Sequence, residues 1–155
     1  MTEHDKIPLA GEMLVQAVKS YEHALKDIDY VTSILLAGAV IGIIAPLLEE
    51  LDIKSSQVAL AELSVKSSNS TSLDKKVGRA IGFYRFTYNA LKHAGHGKNI
   101  PASKDLVIHA DLKDEAEFLI RHAVQDYNKI PEPYITLEYI NNNMPHELLD
   151  VLQSW

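Results

Sequence analysis

The stretch Tyr30–Leu48, YVTSILLAGAVIGIIAPLL, runs for 19 residues without a charge. That length matches a membrane span. Gly38 and Gly42 also form a GxxxG pair suited to close helix packing in lipid. The flanks point elsewhere. Asp27 and Asp29 precede the run, and Glu49, Glu50 and Asp52 follow it. Neither end carries the Lys/Arg cluster that fixes topology in a membrane. A helix apolar on every side is also what the centre of a soluble bundle requires. The run is therefore expected to be a core helix, from about Tyr30 to Leu51, and no membrane partner is expected. Gly38, Ala39 and Gly42 should leave one side thin for a neighbouring helix. Pro46 lacks an N–H and should kink or loosen the helix near its end.

Working outward, the preceding segment reads as an amphipathic helix from about Leu9 to Asp27. Met13, Leu14, Ala17, Val18, Tyr21, Ala24, Leu25 and Ile28 follow the i, i+3, i+4, i+7 rule. Asp29 reads as the N-cap of the core helix. So short a break makes the two helices antiparallel neighbours. Beyond the core helix, Gln57–Val65 fits a short helix. SSNSTS at Ser67–Ser72 reads as a flexible loop. A long helix is expected from Leu73 or Asp74 to His93, with Val77, Ala80, Ile81, Tyr84, Thr87, Tyr88 and Leu91 as its apolar face. Leu106–His109 reads as extended. Asp111 should cap a helix with an acidic first turn, Asp114 and Glu115, and a buried stripe of Leu112, Ala116, Leu119, Ile120, Ala123, Val124 and Tyr127. Pro131 and Pro133 end it. Two short helices, Tyr134–Asn141 and Pro145–Gln153, finish the chain.

The bulk numbers agree with this pattern. A chain of 155 residues, 46% hydrophobic and 23% charged, can bury a core as one domain. The expected organisation is a single helical domain over 1–155 with a flexible loop at about 66–72. The fold class is all-α: a bundle of four main helices plus short C-terminal ones. A net charge of −6 argues against broad, nonspecific nucleic-acid binding but leaves room for a local basic site. There is no cysteine, which removes disulfides, thiolate metal sites and a cysteine nucleophile. A cytoplasmic location follows as the default.

The polar residues worth arguing about lie on the helix before Gly95. Arg85, Asn89 and His93 recur at i, i+4 and i+8, on one helical face. Lys92 lies beside them, and His96 and Lys98 follow in the loop. Arginine offers a fork of donors, lysine a point charge and asparagine a neutral orienting amide, a set suited to phosphate. Histidine can move protons in phosphodiester cleavage. A structural reading stands beside this one. Cations gather at helix C-termini for electrostatic reasons alone, and Arg85 could pair with Glu49 or Glu50. His93 and His96 have H-x-x-H spacing, and His109 and Asp111 could join them, but no second ligand pair makes a metal site. His122 reads as a flank residue of its helix. No nucleotide or cofactor motif is present, so no cofactor is expected.

Three pieces carry a resemblance: AVKSYEHALKDIDYVTSILLAGAV from Ala17, YNALKHAG from Tyr88, and DLKDEAEFLIRHAVQDYNKI from Asp111. Together they resemble a widespread type of small bacterial and phage helical protein with an N-x-L-K-H-A signature, here Asn89–Ala94, a type with no assigned activity. More distantly the chain is similar to HEPN domains. That resemblance implies an up-down helical bundle, a homodimer, and a metal-independent RNase or RNA-binding role in toxin or phage-defence systems. The site it implies is Arg85, Asn89 and His93, with Lys92, His96 and Lys98 binding phosphate. In this chain Arg85 stands eight positions before His93, wider than is usual for those RNases. HEPN-like domains also serve as non-enzymatic dimerisation or protein-interaction modules, and the resemblance leaves both readings in place.

Overall fold

A computed structural model describes residues 2, 4–66, 73–93, 101–132, 134–135 and 146–155. They form seven α-helices and one 3₁₀ turn, with no strand among them. The helices are α1 (Lys6–Glu22), α2 (Asp27–Glu50), α3 (Ser56–Lys66), α4 (Leu73–Tyr84), α5 (Phe86–Lys92), α6 (Leu112–Tyr127) and α7 (His146–Ser154). The chain divides into two compact units. Unit 1 is Met1–Ser55 with Leu112–Trp155, and unit 2 is Ser56–Asp111.

Unit 1 is organised by the apolar run. α2 packs along both α1 and α6, which also touch each other, and α7 packs on α1 and α6. Ile34, Ile41, Ile44 and Leu48 of α2 are fully or almost fully buried with Leu14 of α1, Leu119 and Ile120 of α6, and Leu148 of α7. Each such side chain contributes about 1.5–3 kcal/mol by leaving water. α2 is long and apolar enough to cross a membrane, yet half of its most apolar window is already buried inside the protein. Ser33 fits this core because its hydroxyl donates to Ala17 O at 2.9 Å, across to α1, besides its own-turn bond to Asp29 O.

α1 ends five residues earlier than its apolar pattern suggests. The carboxylate of Asp29 accepts from the backbone of Leu25 and Lys26 at 2.9 and 3.0 Å. Asp29 therefore stands in the first turn of α2, and Lys26 is the cap residue. Those two bonds hold the chain out of α1, so Leu25 and Ile28 leave the stripe and are 90% and 60% exposed.

The thin side of α2 is only partly used. Gly38 is buried, but Gly42 is exposed and a Cβ there would meet nothing within 4 Å. Pro46 is exposed too, and its missing N–H would have bonded the carbonyl of Gly42, four residues earlier. Both positions face outward, so water can take the freed carbonyl. α2 accordingly continues through Pro46 to Glu50. The close helix approach lies instead at Gly11. A Cβ there would stand 2.7 Å from Leu148 Cδ2 and 2.8 Å from the Tyr127 hydroxyl.

α6 begins directly after Asp111, carries Asp114 and Glu115 in its first turn, and buries the expected stripe from Ala116 to Tyr127, with Leu112 half-buried. It ends before Pro131, where Tyr134 N and Ile135 N bond back to Pro131 O in a turn. Most of the expected Tyr134–Asn141 helix lies outside the described residues, as does the loop 67–72. α7 starts at His146, close to the expected Pro145.

Unit 2 is built on α3 packed against α4, with α5 continuing from α4. Ser64 Oγ and the Tyr84 hydroxyl share a hydrogen bond at 2.7 Å between those helices. Leu106–His109, which reads as extended from its sequence, is neither helix nor strand, and a 3₁₀ turn at Ala102–Lys104 precedes it.

Candidate functional site

The expected single helix from Asp74 to His93 is interrupted at Arg85, which has φ −101° and ψ 6° between α4 and α5. The interruption is local. Arg85 N bonds Ile81 O, Asn89 N bonds Arg85 O, and His93 N bonds Asn89 O, at 3.0, 2.9 and 3.1 Å. This four-residue spacing keeps the backbones of Arg85, Asn89 and His93 along one side. The break has a side-chain counterpart. Arg85 Nε donates to Gln57 Oε1 of α3 at 2.6 Å. Gln57 is buried, and its Nε2 has no hydrogen-bond partner among the described residues. Arg85 is thus half-buried and held by a neutral amide, not by a glutamate.

The other residues of the line behave differently. Asn89 is half-buried, while Lys92 and His93 are exposed. His93 has φ −139° and ψ 139°, so the chain turns extended there and leaves the helical face. Lys92 Nζ bonds the Tyr88 hydroxyl at 3.1 Å and sits 4.6 Å from the centre of that ring. A neutral ring steadies the ammonium without cancelling its charge. Ala90, Leu91, Lys92 and His93, together with Asp105–Ile108, line an open depression of about 280 Å³. The structure therefore brings Lys92 and His93 together and sets Arg85 apart, bound to α3. His96 and Lys98 lie outside the described residues. Among those residues no three His, Asp or Glu side chains gather to hold a metal ion.

Charge is divided between the two units. Unit 2 contains eight of the 15 Lys/Arg and four of the 21 Asp/Glu, a net +4. Unit 1 holds the remaining seven and 17, a net −10. The acidic average of the chain conceals a basic unit.

Two features escaped the sequence reading. The first is on α6. His122 is not a flank residue but is buried, its ring edge-on to Phe118 at 4.3 Å, and its Nδ1 has no hydrogen-bond partner among the described residues. Burial pushes its imidazole below the usual range; Asp126 opposes that shift and Lys129 adds to it. Asp126 is completely buried and pairs with Lys129 Nζ at 3.3 Å, which also donates to Lys54 O. The i, i+4, i+7 spacing of these three residues was the available signal. The second is the outer face of α4 and α5, where Phe83 and Phe86 are 77% and 56% exposed. Both fall outside the apolar stripe of their helix, and that was readable from their spacing.

Comparison with known proteins returns no match: no family model, no curated protein and no solved structure.

Proposed function

We propose that the chain is a helical binding protein whose basic unit takes RNA or a nucleotide phosphate. The observation that carries this reading is the partition of charge: a net +4 unit in a chain of net −6, with Lys92 and His93 exposed side by side on a depression. An anionic polymer is attracted to a local field, not to an average. A HEPN-like up-down topology and a homodimer belong to the same proposal, drawn from the resemblance of the sequence.

The reading is of binding rather than cleavage. The nuclease implied by the resemblance sets an arginine beside the histidine where charge develops on the phosphate, whereas Arg85 bonds Gln57 on α3 and is not among the residues that line the depression with Lys92 and His93. The test uses a labelled single-stranded RNA in EDTA, read by fluorescence anisotropy for binding and by gel for cleavage. Wild type is expected to bind without cutting. Lys92→Gln combined with His93→Ala should weaken binding about tenfold. Cleavage by wild type that is lost in His93→Ala would restore the nuclease reading. Absence of binding would leave the non-enzymatic dimerisation or protein-interaction module in its place.

A further inference from the structure

Gly78, Arg79, Gly82, Phe83 and Phe86 are all exposed, and they recur at helical spacing along α4 into α5. Folding gains nothing from this arrangement. A glycine inside an exposed helix is unfavourable relative to alanine, and a Cβ at position 78 or 82 would meet nothing within 4 Å. The two phenylalanines leave most of their rings in water. Phe83 touches Tyr84 edge-on at 6.0 Å, which steadies the ring and leaves it accessible. The result is a flat strip of helix backbone with two aromatic rings and a guanidinium on it.

The surrounding charge selects the occupant. The strip lies in the unit of net +4. A second copy would present the same positive strip to itself. A helix of 12 residues, about 18 Å long, also offers far less than the roughly 800 Å² per partner of a stable interface. A single-stranded nucleic acid needs no such area. It binds where aromatic rings stack on its bases and cations meet its backbone. We infer that this strip is a stacking platform for single-stranded RNA, with bases on Phe83 and Phe86 and a backbone phosphate on Arg79. Gly78 and Gly82 keep the helix surface low enough for the strand to lie across it. A duplex hides its base faces and cannot use the platform. The inference rests on the proposed RNA-binding role of the same unit and names how it would read the strand.

The experiment measures anisotropy of a labelled 15-nucleotide single strand and of a hairpin duplex of similar length, with the full chain at fixed salt. Wild type should prefer the single strand about tenfold. Phe83→Leu and Phe86→Leu keep an apolar side chain but lose the stacking ring. Each should weaken single-strand binding about tenfold and leave the far-UV circular dichroism and the duplex affinity unchanged. Gly82→Ala should weaken binding several-fold while raising the melting temperature, which separates the effect from misfolding. If wild type binds RNA and the phenylalanine variants bind equally well, the platform is overturned and the RNA-binding role stands. No RNA binding by wild type removes both. Equal displacement of the strand by polyglutamate, with the same dependence on Phe83 and Phe86, would overturn the inference in favour of an acidic protein segment.

Discussion

At the scale of the single residue, His122 is a position that makes the fold sensitive to pH. It sits between Phe118 and Asp126 on α6, buried, with Lys129 close enough to repel its charged form. Its folded pKa is depressed below 6.5, chiefly by burial. An unfolded chain therefore takes up a proton, as pH falls below 6.5, that the folded imidazole resists. This contribution to stability is complete above about 6.5 and is lost as pH falls through the depressed folded value. Urea unfolding at pH 7.5, 6.0 and 5.0 should show a falling midpoint. His122→Phe, which keeps a ring against Phe118, should flatten that fall. An unchanged slope in the variant would place the acid sensitivity elsewhere. Arg85 shows a contact that spacing does not reveal. Its spacing with Asn89 and His93 made it one of the candidates for phosphate, and its Nε bonds an amide on another helix, 28 residues earlier. Spacing reports which face a side chain starts from. It does not report what waits on the facing helix.

At the scale of the element, the helices themselves were legible because their apolar periods are long and uninterrupted. α6 and the core of α2 match their sequence patterns closely. The ends of elements were less legible, since they are decided by single hydrogen bonds that periodicity ignores. Asp29 ends the reach of α1 by capping Leu25 and Lys26, and Arg85 divides α4 from α5. Which small residue marks a close approach was also hidden. Gly38 and Gly42 drew attention as a pair, but Gly11 is the glycine in tight quarters, where α1 meets Tyr127 and Leu148. The Tyr127 hydroxyl there donates to Ile7 O at 3.1 Å, so it cannot move aside without losing a bond. Gly11→Ala should therefore destabilise the protein by about 1–3 kcal/mol, as overpacking does, seen as a lower melting temperature. A rise in melting temperature, the ordinary result of replacing glycine in a helix, would mean that α1 and α7 separate easily.

At the scale of the whole molecule, the telling property is that the average charge of the chain conceals an uneven division between its two units. The chain has a pI near 5.6, which argues against nucleic-acid binding when read alone. Divided into units, it becomes one strongly acidic body and one basic body, and the division falls at Ser55/Ser56 and Asp111/Leu112. That boundary was not readable from composition, because no Pro/Gly-rich linker marks it. The consequence is measurable. Three of the exposed cations among the described residues of unit 2, Arg79, Lys92 and Lys104, can each neutralise one phosphate of a single strand. Each contributes about −0.7 to the slope of log affinity against log salt, so the expected slope is about −2. A fourfold rise in salt, from about 50 to 200 mM, should then weaken RNA binding by about 20-fold. Arg79→Gln should bring the slope to about −1.4, while Phe83→Leu should lower affinity and leave the slope alone, because stacking releases no counterions. A slope near zero in wild type would mean that the charge partition plays no part in binding. A slope of −2 that persists in Arg79→Gln would place the phosphate contacts on other cations of the basic unit.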